Sequence, residues 1–348
     1  MSHQGDSVNP GHCSPPVGII ANPASGKDIR RLVGHATTVD NQGKVSILRR
    51  VLVGLGAIGV REVLAMPDAQ HLGSRARDGL PGDNPTIPDL HLLDLAVTGQ
   101  TLDSERASRA LASRGVGCVV VLGGDGTVRA ASKGCGDTPL LPISTGTNNV
   151  LPEFIEGTIA GLAAGAVALG LVPVDVATYR HKWLQVSVDG QPVDRALVDV
   201  AVLAGRFVGS RAVWNANDLQ QIIVTRADPT SIGISAIAGV VHPISAREKQ
   251  GLTLWLGQGG SRRVLAPLGP GLVPEISIRD TRALQIGESV PITLLGPTVL
   301  ALDGEREVAL RKGQDVLVTL RDDGPRIVSV PNVMHSMAAA RGMDRAMS

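Results

Sequence analysis

The spacing of apolar residues divides the chain into two textures. From Val17 to about Asn149 short apolar runs alternate with helix-length segments, the pattern of a parallel sheet flanked by helices. "VGII" predicts a first strand that empties into the loop "ANPASGKD", with Asp28 placed to cap a helix over "IRRLVGHA". Val45, Leu48, Val51, Leu52 and Leu55 then recur at helical spacing, so a helix ended by glycines is expected there, followed by the strand "EVLAMP". Gly54, Gly56 and Gly59 have the G-x-G-x-x-G spacing of a dinucleotide fingerprint, but a helix before the glycines and a strand after them reverses the order such a fingerprint needs. Residues 73–90, rich in Gly, Pro and Asp, predict a long surface loop, and "SERASRALASRG" predicts a helix. "VGCVVVLGGDGTVRAASKG" reads as strand, glycine turn and helix, and "TPLLPISTGTNNV" as strand and small polar loop.

The uncharged run between Glu156 and Asp175 approaches the ~17–25 residues of a membrane span. It is mostly Ala and Gly, Pro173 closes it, and Ile159, Leu162, Ala166 and Leu169 fall at helical spacing, so a helix buried between layers of a soluble protein is expected. After about residue 173 the period shortens to that of strands, in segments such as "KWLQVSVDGQPVDRALVDVAVLAG" and "TVLALDGEREVALRKGQDVLVTL", which predicts a β-rich domain of hairpins. The expected organisation is a polar leader over 1–16, an α/β domain over 17–150, a β-rich, sandwich-like domain over 151–330, and a helix-competent segment over 331–348 that packs back on the first domain.

Composition narrows the function. With 33 Lys+Arg against 32 Asp+Glu and a formal charge of +1, the chain lacks the basic footprint of a nucleic-acid binder, and its three Trp, two Phe and one Tyr leave little to stack on bases. Cys13, Cys118 and Cys135 form no C-x-x-C pair and read as reduced thiols; with no export signal visible, the expected location is the cytoplasm. The histidines have no metal-ligand spacing, so no zinc site is expected.

The chemistry concentrates in three loops. In "VVVLGGDGTVRAA" a buried strand runs into Gly123, Gly124, Asp125, Gly126 and Thr127. The glycines let the backbone approach a phosphate at the positive start of the following helix, and Asp125 can hold a metal-bridged phosphate or accept a proton from an attacking hydroxyl. A D-G pair flanked by glycines also serves as a tight bend. "ANPASGKD" resembles a Walker A loop only superficially, lacking its leading Gly and its Ser/Thr, yet Asn22, Ser25, Gly26 and Lys27 suit a phosphate contact. "STGTNN" adds hydroxyls and amides after a strand of the same sheet, and all three loops open on the carboxyl edge where such sheets bind ligands.

In order along the chain, "GIIANPASGKDIRRLVG", "VVVLGGDGTVRAA", "PISTGTNNVLP", "DPTSIGISAIAGVVHPIS" and "LALDGER" resemble the superfamily of NAD kinases and diacylglycerol and sphingosine kinases, most of all its AcoX-like ATP-NAD kinase family. The resemblance implies an active site between the domains, ATP with Mg²⁺ as phosphoryl source, a homo-oligomer, and a context in acetoin catabolism. It implies Asp125 as the central acid, acting on the metal indirectly through phosphate or water. Around it stand Gly123, Gly124, Gly126 and Thr127 as the phosphate loop, with Asn22, Ser25, Gly26 and Lys27 on the nucleotide. Thr147, Asn148 and Asn149 match the second lipid-kinase phosphate loop after a one-residue shift. Asp303 and Glu305 match the D-G-E of lipid kinases, although "ALDGEREVAL" is equally a hairpin with a D-G turn.

Departures from the superfamily bear on the acceptor. Where NAD kinases carry an Asn-Glu pair this chain has Val198 and Asp199, and an apolar side chain cannot replace the lost hydrogen bonds. Lipid kinases carry Asn-Glu after "GGDGT", where Val128 and Arg129 stand here. Asp199, Ser231, Ser235 and His242 remain as acceptor contacts, with His242 beside Pro243 also readable as structural; Arg206, Arg211 and Arg226 suit an acidic acceptor or a solvated surface. The leading expectation is a kinase phosphorylating a hydroxyl of a small metabolite, with no nucleic-acid or membrane partner. The alternatives are an NAD kinase making NADP, and a nucleotide-binding regulatory protein without turnover.

Overall fold

The computed structural model describes residues 14–26, 39–81, 86–146, 149–204, 218–294, 296, 298–304 and 306–340. Strands β1 (Val17–Ala21), β2 (Glu62–Ala65), β3 (Asp89–Leu92), β4 (Cys118–Gly123) and β5 (Leu140–Ser144) run parallel in the order β3-β2-β1-β4-β5. Every residue of β1, β4 and β5 is buried, as expected of strands covered on both faces. β6 (Thr178–Arg180) and β18 (Arg326–Val328) extend this sheet, β18 parallel to β5 and β6 antiparallel to β18.

The helices of this layer are α1 (Asn41–Ile58), α2 (Leu72–Asp78), α3 (Thr101–Ser113), α4 (Asp125–Ser132), α5 (Gly157–Ala168), α6 (Val174–Ala177) and α8 (Val330–Ala339). Asp40 caps α1 by accepting the Gly43 N–H at 2.7 Å, and Gly59 ends it in the left-handed region at φ 104°. Gly54 and Gly56 are not terminators as expected but lie within α1, where a Cβ on Gly54 would meet the Thr158 carbonyl oxygen at 2.3 Å. α5 is the expected buried helix, but its buried face is the small one, Ala160, Gly161, Ala163 and Ala164, while Ile159 is 38% exposed. The loop expected over 73–90 contains α2 instead, anchored by buried Leu72 and Ala76, with the Asp68 carboxylate accepting the Leu72 N–H at 3.0 Å. The helix expected over 29–36 lies outside the described residues.

The boundary expected at residue 150 also moves. α5 packs on α1 and β6 pairs in the first sheet, so the first domain continues through Arg180 before the chain crosses over. It then returns through β18 and α8, which places Val333 and Met337 in the same core as Val45 and Leu48.

The second domain is a sandwich of antiparallel sheets. One contains β7 (Trp183–Val188), β8 (Gln191–Ala196), β14 (Ser289–Pro291) and β17 (Val316–Arg321), in the order β14-β17-β7-β8. The other contains β9 (Asp199–Ala204), β10 (Leu219–Val224), β11 (Gln250–Leu256), β12 (Arg262–Leu265), β13 (Glu275–Gln285), β15 (Thr298–Leu302) and β16 (Arg306–Leu310), in the order β12-β13-β11-β10-β9-β15-β16. Leu184, Val186 and Val318 meet Val200, Ile223 and Leu300 between the sheets, and α7 (Ile234–Val241) covers the other face of the larger one. Both D-G pairs are hairpin turns with two left-handed residues, Asp189 and Gly190 at φ 51° and 77°, Asp303 and Gly304 at φ 50° and 69°. Among the described residues no helix is long and apolar enough to cross a membrane.

Candidate active site

Parallel pairing of β1 with β4 and of β4 with β5 brings their carboxyl ends side by side, so the three small polar loops meet at one edge. Asn22 leaves β1 with its N–H on the Leu122 carbonyl at 3.1 Å. Its side chain accepts the Ala24 N–H at 2.9 Å and donates from Nδ2 to Thr127 Oγ1 at 3.0 Å. Ser25 Oγ donates to the Asn22 carbonyl at 2.8 Å and lies 3.0 Å from Thr145 Oγ1. One polar network therefore ties the first loop to the second through Asn22 and to the third through Ser25. Gly26 follows at φ 75°, a conformation that suits glycine.

The second loop depends on glycine for space. A Cβ on Gly123 would lie 2.6 Å from Thr127 Oγ1, so only glycine lets Thr127 fold beneath the turn. Gly124 is the N-cap of α4, and Asp125, Gly126 and Thr127 form its buried first turn. Asp125 is 7% exposed; its carboxylate accepts the Leu151 N–H at 2.8 Å and the Val150 N–H at 3.0 Å. An acid at a helix N-terminus is favoured by the dipole, and here it also fixes the segment after β5. In the third loop Ser144 Oγ donates to the Gly146 carbonyl at 2.7 Å and accepts from Asn149 Nδ2 at 2.8 Å, so Asn149 is folded onto its own loop. Lys27, Thr147, Asn148 and Glu305 lie outside the described residues, as do Arg206 and Arg211.

Beside the first loop a cavity of about 150 Å³ opens between the ends of β1 and β2 and the start of α3. Its apolar wall includes Met66, Pro67 and Val97, and Gln70 and Gln100 contribute amides.

Asp303 stands in a turn, at φ 50°. Its side chain is fully enclosed, and the carboxylate accepts the N–H groups of Leu197 at 3.0 Å, Val198 at 2.8 Å and Asp199 at 3.2 Å. Arg129 Nε lies 3.6 Å away, so Asp303 ties α4 to the second domain. Burial pushes the Asp303 carboxyl above its usual range, against the opposing pull of Arg129 and the backbone N–H groups. Asp199 is buried at the same junction, its carbonyl accepting the Asp303 N–H at 3.0 Å.

The other acceptor candidates lie elsewhere. Ser231 Oγ closes a turn on the Asp228 carbonyl at 2.6 Å, Ser235 is enclosed near the start of α7, and His242 is exposed just after it. Among the described residues no hydrogen bond links these three to the phosphate-type loops. Arg226 lies 3.5 Å from Asp228.

Sequence reasoning missed Lys44 and Arg129, and within the third loop it singled out Thr147 where Thr145 makes the contact to Ser25. Lys44 is 1% exposed on α1 and donates into the first loop, to the carbonyls of Asn22 at 3.0 Å and Ser25 at 2.7 Å. The available signal was a lysine beside Val45 at the start of the apolar stripe, near a helix N-terminus that disfavours cations.

Residues 17–170 match the ATP-NAD kinase N-terminal domain, and residues 182–323 match the acetoin catabolism protein X C-terminal domain. An α/β domain of the NAD-kinase kind joined to an antiparallel β-rich domain marks a kinase-like protein. Acetoin catabolism protein X of Cupriavidus necator is 38% identical over 335 residues, covering 92% of both chains. The chain belongs to the acetoin catabolism protein X family. NAD kinase 2 of Gloeobacter violaceus is 25% identical over 220 residues, 57% of this chain and 62% of that one. A candidate diacylglycerol kinase from Bacillus anthracis, of known structure, aligns over 91% of this chain and 98% of its own at 14% identity and a TM-score of 0.47.

Proposed function

We propose that this protein transfers a phosphoryl group from ATP to a hydroxyl of a small metabolite in the cytoplasm, in the setting of acetoin catabolism. The observation that carries the reading is the meeting at one sheet edge of three hydrogen-bonded small polar loops around the first turn of α4, which carries Asp125. A helix start and glycine-lined turns are suited to phosphate, and the cavity beside Asn22 offers apolar walls and two amides to a nucleoside.

Among the described residues no cluster of His, Cys, Asp or Glu is built to hold a metal by itself. The donor set fits Mg²⁺ arriving with the nucleotide, kept mainly by phosphate oxygens and water, with Asp125 the nearby carboxylate. When bound, the ion neutralises charge on the transferring group. The protein's part is alignment: Asn22, Ser25 and Thr127 shape the loops, the first turn of α4 faces the phosphates, and Asp125 orients the acceptor hydroxyl and takes its proton.

NAD as acceptor is disfavoured by Val198, which is buried in apolar surroundings where the NAD-kinase pattern requires a polar contact. The regulatory alternative draws on Asp125 itself, whose two oxygens already hold the N–H groups of Val150 and Leu151. ADP release with ATP and Mg²⁺, measured across NAD, acetoin and small polyols, separates the readings. We expect acceptor-dependent turnover with a small hydroxyl compound and a drop of about 10²–10⁴-fold in Asp125→Asn, compared on variant protein shown to be folded by circular dichroism. NADP formation would establish the NAD kinase; ATP binding without transfer to any acceptor would establish the regulatory protein.

A further inference from the structure

The first loop is organised around a buried cation. Lys44 Nζ donates to three carbonyls of that loop, Asn22 at 3.0 Å, Pro23 at 3.2 Å and Ser25 at 2.7 Å, with Asn41 Oδ1 at 3.4 Å. The loop's N–H groups are mostly turned inward: that of Asn22 goes to Leu122, that of Ala24 to the Asn22 side chain, and that of Ser25 to the Asn22 carbonyl. A loop so folded gathers carbonyl dipoles beside the start of α4 and would by itself present negative potential where phosphate must come. The ammonium, enclosed at 1% exposure, sets its positive charge against those dipoles. Its position near the N-terminus of α1 runs against the helix dipole, and it sits beside Val45 in the apolar stripe, so packing alone would favour an apolar residue there.

We propose that Lys44 is a positioning residue for nucleotide phosphate, holding the Asn22–Gly26 loop by its carbonyls and supplying through it the positive potential that draws the phosphate chain to α4. This rests on the reading of the site as a nucleotide site. Lys44 acts through the loop, so its effect scales with ligand charge, which a purely structural lysine would not produce.

The test is equilibrium binding of adenosine, AMP, ADP and ATP to the full chain and to Lys44→Gln, Lys44→Met and Lys44→Arg. Glutamine keeps donors for the carbonyls while removing the charge, so it carries the test if methionine prevents folding. The expected result is an ATP affinity lower by about tenfold in Lys44→Gln, a smaller loss for AMP, adenosine unchanged within about twofold, and the ATP preference kept in Lys44→Arg. An equal loss for adenosine and ATP, or unchanged ATP affinity in Lys44→Gln, overturns the proposal. If the unmodified protein binds ATP no tighter than adenosine, the nucleotide reading fails first and takes the proposal with it.

Discussion

Arg129 and Asp303 sit opposite one another across the domain junction with side chains 5% and 0% exposed. Arg129 lies one helical turn after Asp125, so the hairpin turn of the second domain holds the helix that carries Asp125. Asp303→Ala strands a buried guanidinium and three backbone N–H groups together, and removing one partner of such a pair costs about 3–5 kcal/mol. Denaturant unfolding should show that loss, and a change below about 1 kcal/mol would mean that the junction is held by something else. The same residues mark what is legible at this scale. Asn22, Gly123 and Asp125 could be placed at one sheet edge because each lies at or just after the carboxyl end of a continuous apolar strand, β1 or β4. Lys44 and Arg129 could not, because a basic residue in a helix is ordinarily a solvated one and their partners are distant in sequence, Asp303 lying far beyond Arg129.

At the level of elements, α1 and α5 cross through glycine. A Cβ on Gly161 would lie 2.3 Å from the Val51 carbonyl oxygen, and the obstacle is backbone, which no rotamer change can relieve. Gly161→Ala should therefore push the helices apart despite alanine's higher helix propensity, lowering stability by about 1–3 kcal/mol. A thermal melt at or above that of the unmodified protein would contradict the close approach. The alternating texture predicted the strands and most helices because β1, β4 and β5 are continuous apolar runs. Reading larger apolar residues as the buried face failed for α5, whose inward side is alanine and glycine, selected for smallness rather than hydrophobicity. α2 went unread because its anchoring pair, Leu72 and Ala76, is short and set among charged and turn-forming residues.

Across the whole molecule, the two domains are joined by a crossover after Arg180 and a return through β18, which no local pattern encodes because β6 and β18 are each three residues long. His181, at the crossover, is fully buried with Nε2 3.0 Å from the Leu197 carbonyl. Burial, and then the charge of Arg226, pushes its imidazole from 6.5 down to about 3. The folded protein thus keeps this histidine neutral over a range in which the unfolded chain protonates it. His181 costs nothing above pH ~6.5, and below that stability falls by up to about 1.4 kcal/mol per pH unit until the folded group itself titrates near pH 3. Carboxylates contribute to acid unfolding as well, so the useful quantity is the difference made by His181→Gln, which preserves a polar side chain without the proton. Urea midpoints at pH 7, 5 and 4 should fall less steeply for the variant than for the unmodified protein; parallel slopes would show that the junction does not bind a proton on unfolding, and would place the acid sensitivity in the carboxylates.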